Sequence, residues 1–194
     1  MTERTINLRD LSILIADPSP YLRTLLQGML RGFGAGKMIE AKDAAEVLQA
    51  LGKHRIDVLL CDGALPGDGG FVLTRRIRRE SGNEHRTMPI LLMTSDPRET
   101  IVKEGRDAGA NMVVAKPLSP GNLYDRLAWV AFNPRQYIDT EGYFGPDRRF
   151  KNVGGPDGIG RRRGDAIESV KKTGRAPAQD KIDKVFNATS NGRK

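Results

Sequence analysis

The chain has 194 residues, a formal net charge of +8 at pH 7, one cysteine and two histidines. One cysteine excludes an internal disulfide, and two histidines without cysteine companions predict no structural zinc site. No apolar run reaches the roughly 20 residues that cross a bilayer. The first residues also lack the apolar core of a signal peptide. We therefore expect a cytoplasmic protein without a transmembrane segment.

The positive charge is concentrated in the last third of the chain. Residues 1–132 hold 18 Lys and Arg against 16 Asp and Glu, whereas residues 133–194 hold 14 against 8. A basic segment of this kind commonly binds the phosphates of nucleic acid, nucleotide or lipid, although it can also be only a solvated tail.

Five apolar runs of strand length alternate with five amphipathic helical patterns. Strands are predicted at residues 11–16, 37–40, 57–61, 89–94 and 112–115. Helices are predicted to begin near Ser19, Asp43, Phe71, Ser95 and Ser119. This alternation predicts an α/β fold in which helices cover both faces of a parallel sheet.

The third predicted helix carries a cluster of four arginines. They are Arg75, Arg76, Arg78 and Arg79. Charged runs on helices usually face water, so we interpret this cluster as a solvated face rather than a binding site.

Polar side chains end four of the five predicted strands: Asp17, Asp62, Thr94 and Lys116. In a doubly wound sheet these strand ends share one edge, so the four groups should converge there. Carboxylates can hold Mg²⁺, and a lysine can neutralise the charge that develops in phosphoryl transfer. The alternative is that each residue acts separately as a cap, a turn residue or a solvated charge.

Residues 10–132 resemble the receiver domain of two-component response regulators, which has the flavodoxin-like (βα)5 fold. The resemblance is carried by Leu59-Leu60-Cys61-Asp62 with Pro66 and Gly69-Gly70 behind it, by Met93-Thr94-Ser95 and by Ala115-Lys116-Pro117.

The resemblance implies a role for each residue of the predicted site. Asp62 would accept a phosphoryl group from a histidine kinase or phosphotransfer protein. Asp17, Asp62 and the backbone carbonyl of Ala64 would hold Mg²⁺. Thr94 would be the switch hydroxyl, and Lys116 would contact the phosphate.

Two positions depart from the family pattern. Pro18 stands where the family usually has a second acid, so the metal site has one carboxylate fewer and Mg²⁺ binding is expected to be weaker. Val113 stands at the position of the aromatic switch residue, three residues before Lys116. These departures keep open an alternative, a pseudo-receiver that binds proteins and is controlled by the ligand of its tail rather than by phosphorylation.

Residues 133–194 form a basic extension rich in Gly and Arg, and we expect it to be mainly disordered. Its sharpest motif spans residues 143–150, and a looser copy spans residues 155–163. The extension resembles the arginine-rich tails of Cle-type receivers, which bind cyclic di-GMP. RNA, DNA or acidic membrane are alternative ligands, and a tail that only solubilises or contacts protein is another. The candidate ligand residues are Tyr143, Arg148, Arg149, Arg161, Arg162 and Arg163.

The predicted organisation is a polar leader at 1–9, a receiver domain at 10–132 and the basic extension at 133–194. This organisation predicts a single-domain response regulator without a DNA-binding output domain. The resemblance implies that its output partner is a protein, with the flagellar or chemotaxis machinery as one candidate. In similar domains such partners usually dock on the fourth helix, fifth strand and fifth helix. An enzyme with its own small-molecule substrate is not expected, because no second base or nucleophile accompanies Asp62.

Overall fold

A computed structural model describes residues 6–148 and the backbone of residues 171–172. Its main sheet is parallel, with the strand order β2-β1-β3-β4-β5. The strands are β1 (Ser12–Ala16), β2 (Lys37–Ala41), β3 (Val58–Asp62), β4 (Ile90–Thr94) and β5 (Met112–Ala115). The helices are α1 (Pro20–Gly32), α2 (Ala44–Lys53), α3 (Gly69–Arg79), α4 (Glu99–Ala108) and α5 (Pro120–Phe132). This order is that of the flavodoxin-like doubly wound fold, as predicted.

Three helices begin at the side-chain caps that the sequence indicates. Ser19, Asp43 and Ser119 each accept a hydrogen bond from the backbone N–H three residues later, at the start of α1, α2 and α5. A cap of this kind contributes about 1 kcal/mol, because it pairs an N–H that the helix itself leaves free. The caps fix the residue at which each of these helices begins.

Two apolar layers enclose the sheet. One contains Leu30 of α1 and Leu127 of α5, and the other contains Val47 of α2 and Leu73 of α3. All four side chains are buried, and burying each contributes about 1.5–3 kcal/mol. Helices cover both faces of the sheet, so polar side chains meet at the strand ends rather than on a face.

The predicted polar leader is partly apolar core. Ile6 and Leu8 are buried in the layer that contains α1 and α5. The backbone N–H of Ile6 also donates a 3.1 Å hydrogen bond to the hydroxyl of Tyr124. The packed domain therefore includes these residues, ahead of the predicted boundary at residue 10.

The extension does not become irregular immediately after α5. Residues Tyr137–Thr140 (β6) and Tyr143–Pro146 (β7) form an antiparallel hairpin, and Lys171–Lys172 (β8) pairs with the other edge of β6. Tyr137 and Phe144 are buried, which gives the hairpin an apolar anchor on the domain. Our expectation of a mainly disordered extension is thus wrong for residues 137–146.

The interpretation of the arginines on α3 as a solvated face is wrong for Arg78. This side chain is only 1% exposed, and its guanidinium donates to the carbonyls of Gly109 and Arg86 and to Oδ1 of Asn111. The amide of Asn111 in turn donates to the hydroxyl of Tyr137 at 3.2 Å. Arg78 therefore helps to join α3, α4 and the hairpin.

Within the described part of the chain, no helix is both long enough and apolar enough to cross a membrane.

Candidate functional site

The structure brings Asp17, Asp62 and Lys116 together at the carboxyl edge of the parallel sheet. The Nζ atom of Lys116 lies 2.7 Å from Oδ2 of Asp17 and 3.3 Å from Oδ2 of Asp62. All three side chains are largely removed from water, which strengthens their mutual attraction. One cation is therefore shared by two carboxylates that lie at the ends of β1 and β3.

Asp62 is the last residue of β3 and opens the loop that leads to α3. Its Oδ1 atom accepts a long hydrogen bond of 3.4 Å from the backbone N–H of Ala64. Gly70 at the start of α3 packs against the same strand end, where a Cβ would lie 2.1 Å from the carbonyl oxygen of Asp62. Only glycine allows this approach, so Gly70 lets α3 start directly beside the carboxylate.

Asp17 is completely buried and held from two sides. Its Oδ1 atom accepts a 2.8 Å hydrogen bond from the backbone N–H of Ser19, and its Oδ2 atom accepts the bond from Lys116. The guanidinium of Arg23 binds the Asp17 backbone carbonyl at 2.7 Å. These contacts leave the carboxylate little freedom to move.

The neighbouring Cys61 does not supply a reactive thiolate. Burial, with the charge of Asp62 as the second cause, raises the pKa of the Cys61 thiol to about 12. A thiol with that pKa is neutral at physiological pH, and the thiolate is the nucleophilic form. Cys61 is thus a buried core residue beside Asp62 and not a nucleophile.

Thr94 ends β4 at the same edge, but its hydroxyl is engaged locally. Its Oγ1 atom accepts from the backbone N–H of Asp96 at 3.0 Å and donates to the carbonyl of the same residue at 3.3 Å. This turn places the start of α4 at Glu99 rather than near Ser95. In this arrangement the Thr94 hydroxyl faces its own loop and makes no hydrogen bond to Asp62 or Lys116.

The oxygen atoms available as metal ligands at this edge suit Mg²⁺, but they are few. Carboxylates and backbone carbonyls are the ligands that Mg²⁺ prefers, and it readily keeps several waters. Pro18 offers no side-chain oxygen next to Asp17. Residues 6–148 contain no cluster of three or more acidic, histidine or cysteine side chains that could hold a metal. Asp17 and Asp62 are the two carboxylates at this edge whose oxygens could serve as ligands, and water would have to supply most of the remaining positions.

Two of the six candidate ligand residues of the extension lie within the described residues. The guanidinium of Arg148 stacks on the ring of Tyr143, 3.6 Å from its centroid, and binds Oδ1 of Asp107 at 2.9 Å. Both residues lie beside α3 and the end of α4, away from the carboxyl edge of the sheet. The other four, Arg149, Arg161, Arg162 and Arg163, lie outside the described residues.

Sequence reasoning missed that Arg78 belongs to the buried face of α3. Thr74 and Ile77, four residues and one residue earlier, are also buried. Their spacing places Arg78 on the same side of the helix, so the helical periodicity indicates that Arg78 is buried. The arginine run concealed it, because a charge at a core-facing position is normally excluded.

Comparison with known proteins agrees with this geometry. Residues 13–128 match the family described as the response regulator receiver domain. Chemotaxis protein CheY-3 of Vibrio cholerae serotype O1 is 29% identical over 119 residues, which cover 61% of this chain and 90% of that protein.

Two solved structures extend the likeness to three dimensions. The chemotaxis response regulator CheY4 of Vibrio cholerae has a TM-score of 0.57 and 28% identity, covering 62% of this chain and 98% of that one. The receiver domain of a sensor histidine kinase from Pseudomonas aeruginosa, solved with magnesium in its active-site cleft, has a TM-score of 0.54 and 26% identity. It covers 62% of this chain and 96% of its own. With its fold, its strand-end residues and its family match in agreement, the chain belongs to the response regulator receiver family.

Proposed function

We propose that Asp62 accepts a phosphoryl group and that the phosphorylated domain signals by binding another protein. The observation that carries this proposal is the position of Lys116, whose ammonium lies within 3.3 Å of both Asp62 and Asp17. A cation at this place lowers the repulsion between the Asp62 carboxylate and an incoming phosphoryl group. Membership of the receiver family supports the same assignment.

The transfer takes the phosphoryl group from a phosphohistidine of a histidine kinase or phosphotransfer protein. A carboxylate oxygen of Asp62 forms a bond to phosphorus, and the bond between phosphorus and the imidazole nitrogen breaks. The electron pair of that bond stays on the nitrogen, which takes up a proton at neutral pH. The product is an acyl phosphate, and Lys116 is placed to contact its oxygens.

Asp17, Asp62 and the backbone carbonyl of Ala64 are the groups that would hold Mg²⁺. Bound there, the ion would supply positive charge to the phosphoryl oxygens. Lys116 already contributes one charge at this place, which supports phosphorylation despite the missing acid at Pro18. Thr94 would have to leave its turn with Asp96 before its hydroxyl could contact the phosphoryl group.

The output would pass through protein contacts on α4, β5 and α5. The relatives and structural neighbours include chemotaxis proteins, and this supports the chemotaxis or flagellar machinery as a candidate partner. Val113 in β5 cannot report phosphorylation by rotating an aromatic ring. Thr94 and the start of α4 are the remaining groups that could couple the acceptor to this face.

The proposal is tested by incubating the full chain with a small-molecule phosphodonor, with Mg²⁺ or with a chelator. We expect an acyl phosphate on the wild type that requires Mg²⁺ and is lost in Asp62→Ala. Asp68→Ala is the matched control, because Asp68 is an exposed carboxylate of the same loop. Equal labelling of Asp62→Ala would contradict the proposal, and no labelling of the wild type would favour the pseudo-receiver.

A second candidate function is the binding of cyclic di-GMP by the extension. The stacking of Arg148 on Tyr143 supports it, because such a pair offers a planar surface and hydrogen-bond donors to a purine. Titration of the full chain with the dinucleotide should give saturable binding that is lost when Arg148 and Arg149 are both changed to Ala. Binding of every polyanion with a steep dependence on salt would instead indicate a nonspecific basic tail.

A further inference from the structure

We propose that a cavity between α3, the end of α4 and the β6–β7 hairpin binds a phosphate group. The cavity has a volume of about 250 Å³. Its lining includes the side chains of Arg75, Arg78, Arg79, Asp107, Tyr143 and Arg148. The inference does not depend on phosphorylation of Asp62, and it shares Tyr143 and Arg148 with the second candidate function.

The charge of the lining is strongly one-sided. Four arginines are among the lining residues, and Asp107 is the one carboxylate among the lining residues that the structure describes. Arg148 pairs with Asp107 at 2.9 Å, and Arg75 lies 3.6 Å from Glu104 at the outer side. Even with both acids counted, the described residues leave an excess of two positive charges around the cavity. A cavity with this balance favours an anion that carries more than one negative charge.

The buried side chain of Arg78 distinguishes this cavity from a cluster of exposed arginines. Its guanidinium is fully buried, and its hydrogen bonds go to neutral groups, the carbonyls of Gly109 and Arg86 and the amide oxygen of Asn111. Within the described residues no carboxylate pairs with it. A buried cation with only neutral partners is costly, and a bound anion nearby would lower that cost.

The other arginines keep donors that a ligand can use. Arg79 makes one hydrogen bond, of 3.2 Å, to the carbonyl of Gly142 in the hairpin turn. The side chains of Arg75 and Arg148 are both about one-third exposed at the rim. Arginine presents its N–H groups in a planar fork that matches two oxygens of a phosphate. Arginines of α3 and Arg148, which follows the hairpin, therefore line one space.

The size of the cavity limits what it can enclose. Pockets that enclose a whole drug-sized ligand usually have a volume of about 300–1,000 Å³. A space of about 250 Å³ fits a phosphate or pyrophosphate group better than an entire cyclic dinucleotide. The phosphate can belong to a free inorganic anion or to a nucleotide whose base lies outside, against the exposed face of Tyr143 and Arg148.

The test is calorimetric titration of the full chain with inorganic pyrophosphate, with acetate at equal ionic strength as the monovalent control. We expect saturable binding of pyrophosphate and none of acetate. Arg79→Gln should weaken pyrophosphate binding about tenfold or more, because it removes a charge-assisted donor. Arg76→Gln is the matched control, since Arg76 lies on the same helix but pairs with Asp68 and does not line the cavity. Absence of pyrophosphate binding, or an equal loss in Arg76→Gln, would overturn the proposal.

A parallel titration with cyclic di-GMP separates this proposal from the second candidate function. If pyrophosphate binds and the dinucleotide does not, the cavity takes free phosphates and the second candidate fails. If the dinucleotide binds and Arg79→Gln weakens it, the phosphate of a nucleotide occupies the cavity. If the dinucleotide binds equally to the wild type and to Arg79→Gln, while Arg79→Gln weakens pyrophosphate, the cavity takes free phosphates and the second candidate stands through other residues. If Arg79→Gln weakens neither ligand, the cavity proposal is wrong.

Discussion

Lys116 donates a 2.7 Å hydrogen bond to Asp17, a carboxylate that is completely buried at the end of β1. The same ammonium lies 3.3 Å from Asp62, so a single cation bridges the two carboxylates and offsets their mutual repulsion. Removing the cation would leave Asp17 without its charged partner in a site of low dielectric. The pair is therefore important both for stability and for the proposed chemistry.

The first prediction concerns this lysine. Lys116→Met should lower the free energy of unfolding by about 3 kcal/mol in urea denaturation, because it breaks a buried ion pair. Lys103→Met is the control, since its pair with Glu99 is exposed and such pairs contribute less than about 1 kcal/mol. Added Mg²⁺ should raise the Tm of Lys116→Met more than that of the wild type. If Lys116→Met is as stable as the wild type, Lys116 does not offset the free-energy cost of burying the Asp17 carboxylate.

The second prediction concerns the missing acid. Pro18→Asp restores a carboxylate beside Asp17 and should tighten Mg²⁺ binding roughly tenfold in calorimetric titration, because affinity rises with the number of charged ligands. Pro18→Asn has a similar shape without the charge and should give a smaller change. Unchanged binding by Pro18→Asp would mean that the side chain of residue 18 does not reach the ion.

The third prediction concerns the buried arginine. Arg78→Lys should destabilise the chain by about 3 kcal/mol, because an ammonium cannot replace the fork that binds Gly109, Arg86 and Asn111 together. The side chain of Arg76 is exposed, so Arg76→Lys should change the free energy of unfolding by less than about 0.5 kcal/mol. Equal stability of the two variants in urea would contradict the joining role of Arg78.

The fourth prediction concerns pH. Burial lowers the pKa of His85 below its ordinary value of 6.5, and its Nε2 atom accepts a hydrogen bond from the N–H of Ile56. As the pH falls below about 6.5, the unfolded chain takes up this proton before the folded one does, so stability declines. His85→Gln should show a smaller loss of unfolding free energy between about pH 7 and about pH 5. An identical pH dependence in both proteins would exclude His85 as the cause.

The strand-end residues could be predicted because topology alone brings them together. In a parallel sheet every strand ends at the same edge, so an apolar run followed by Asp or Lys already fixes the neighbourhood of Asp62 and Lys116. The distance between Lys116 and Asp17 could not be predicted in the same way. That distance depends on how the side chains of Lys116 and Asp17 pack against their neighbours, which the sequence pattern does not show.

The hairpin and its contact with Arg78 could not be predicted, for two physical reasons. Its strands have only four residues each, and its turn is Glu141-Gly142 rather than the Asn-Gly or Asp-Gly pair that most strongly indicates a hairpin. The acceptors of Arg78 lie as far as 33 residues along the chain. A local pattern does not reveal partners at that separation, although it can indicate that the side chain is buried.

The most direct test of the phosphoacceptor assignment is to locate the modification on the chain. The full-length protein is treated with a phosphodonor and Mg²⁺, the acyl phosphate is reduced with borohydride, and the reduced residue is identified by peptide mass spectrometry. We expect a homoserine at position 62 and unmodified Asp17 and Asp68. Reduction at another aspartate, with residue 62 intact, would contradict it.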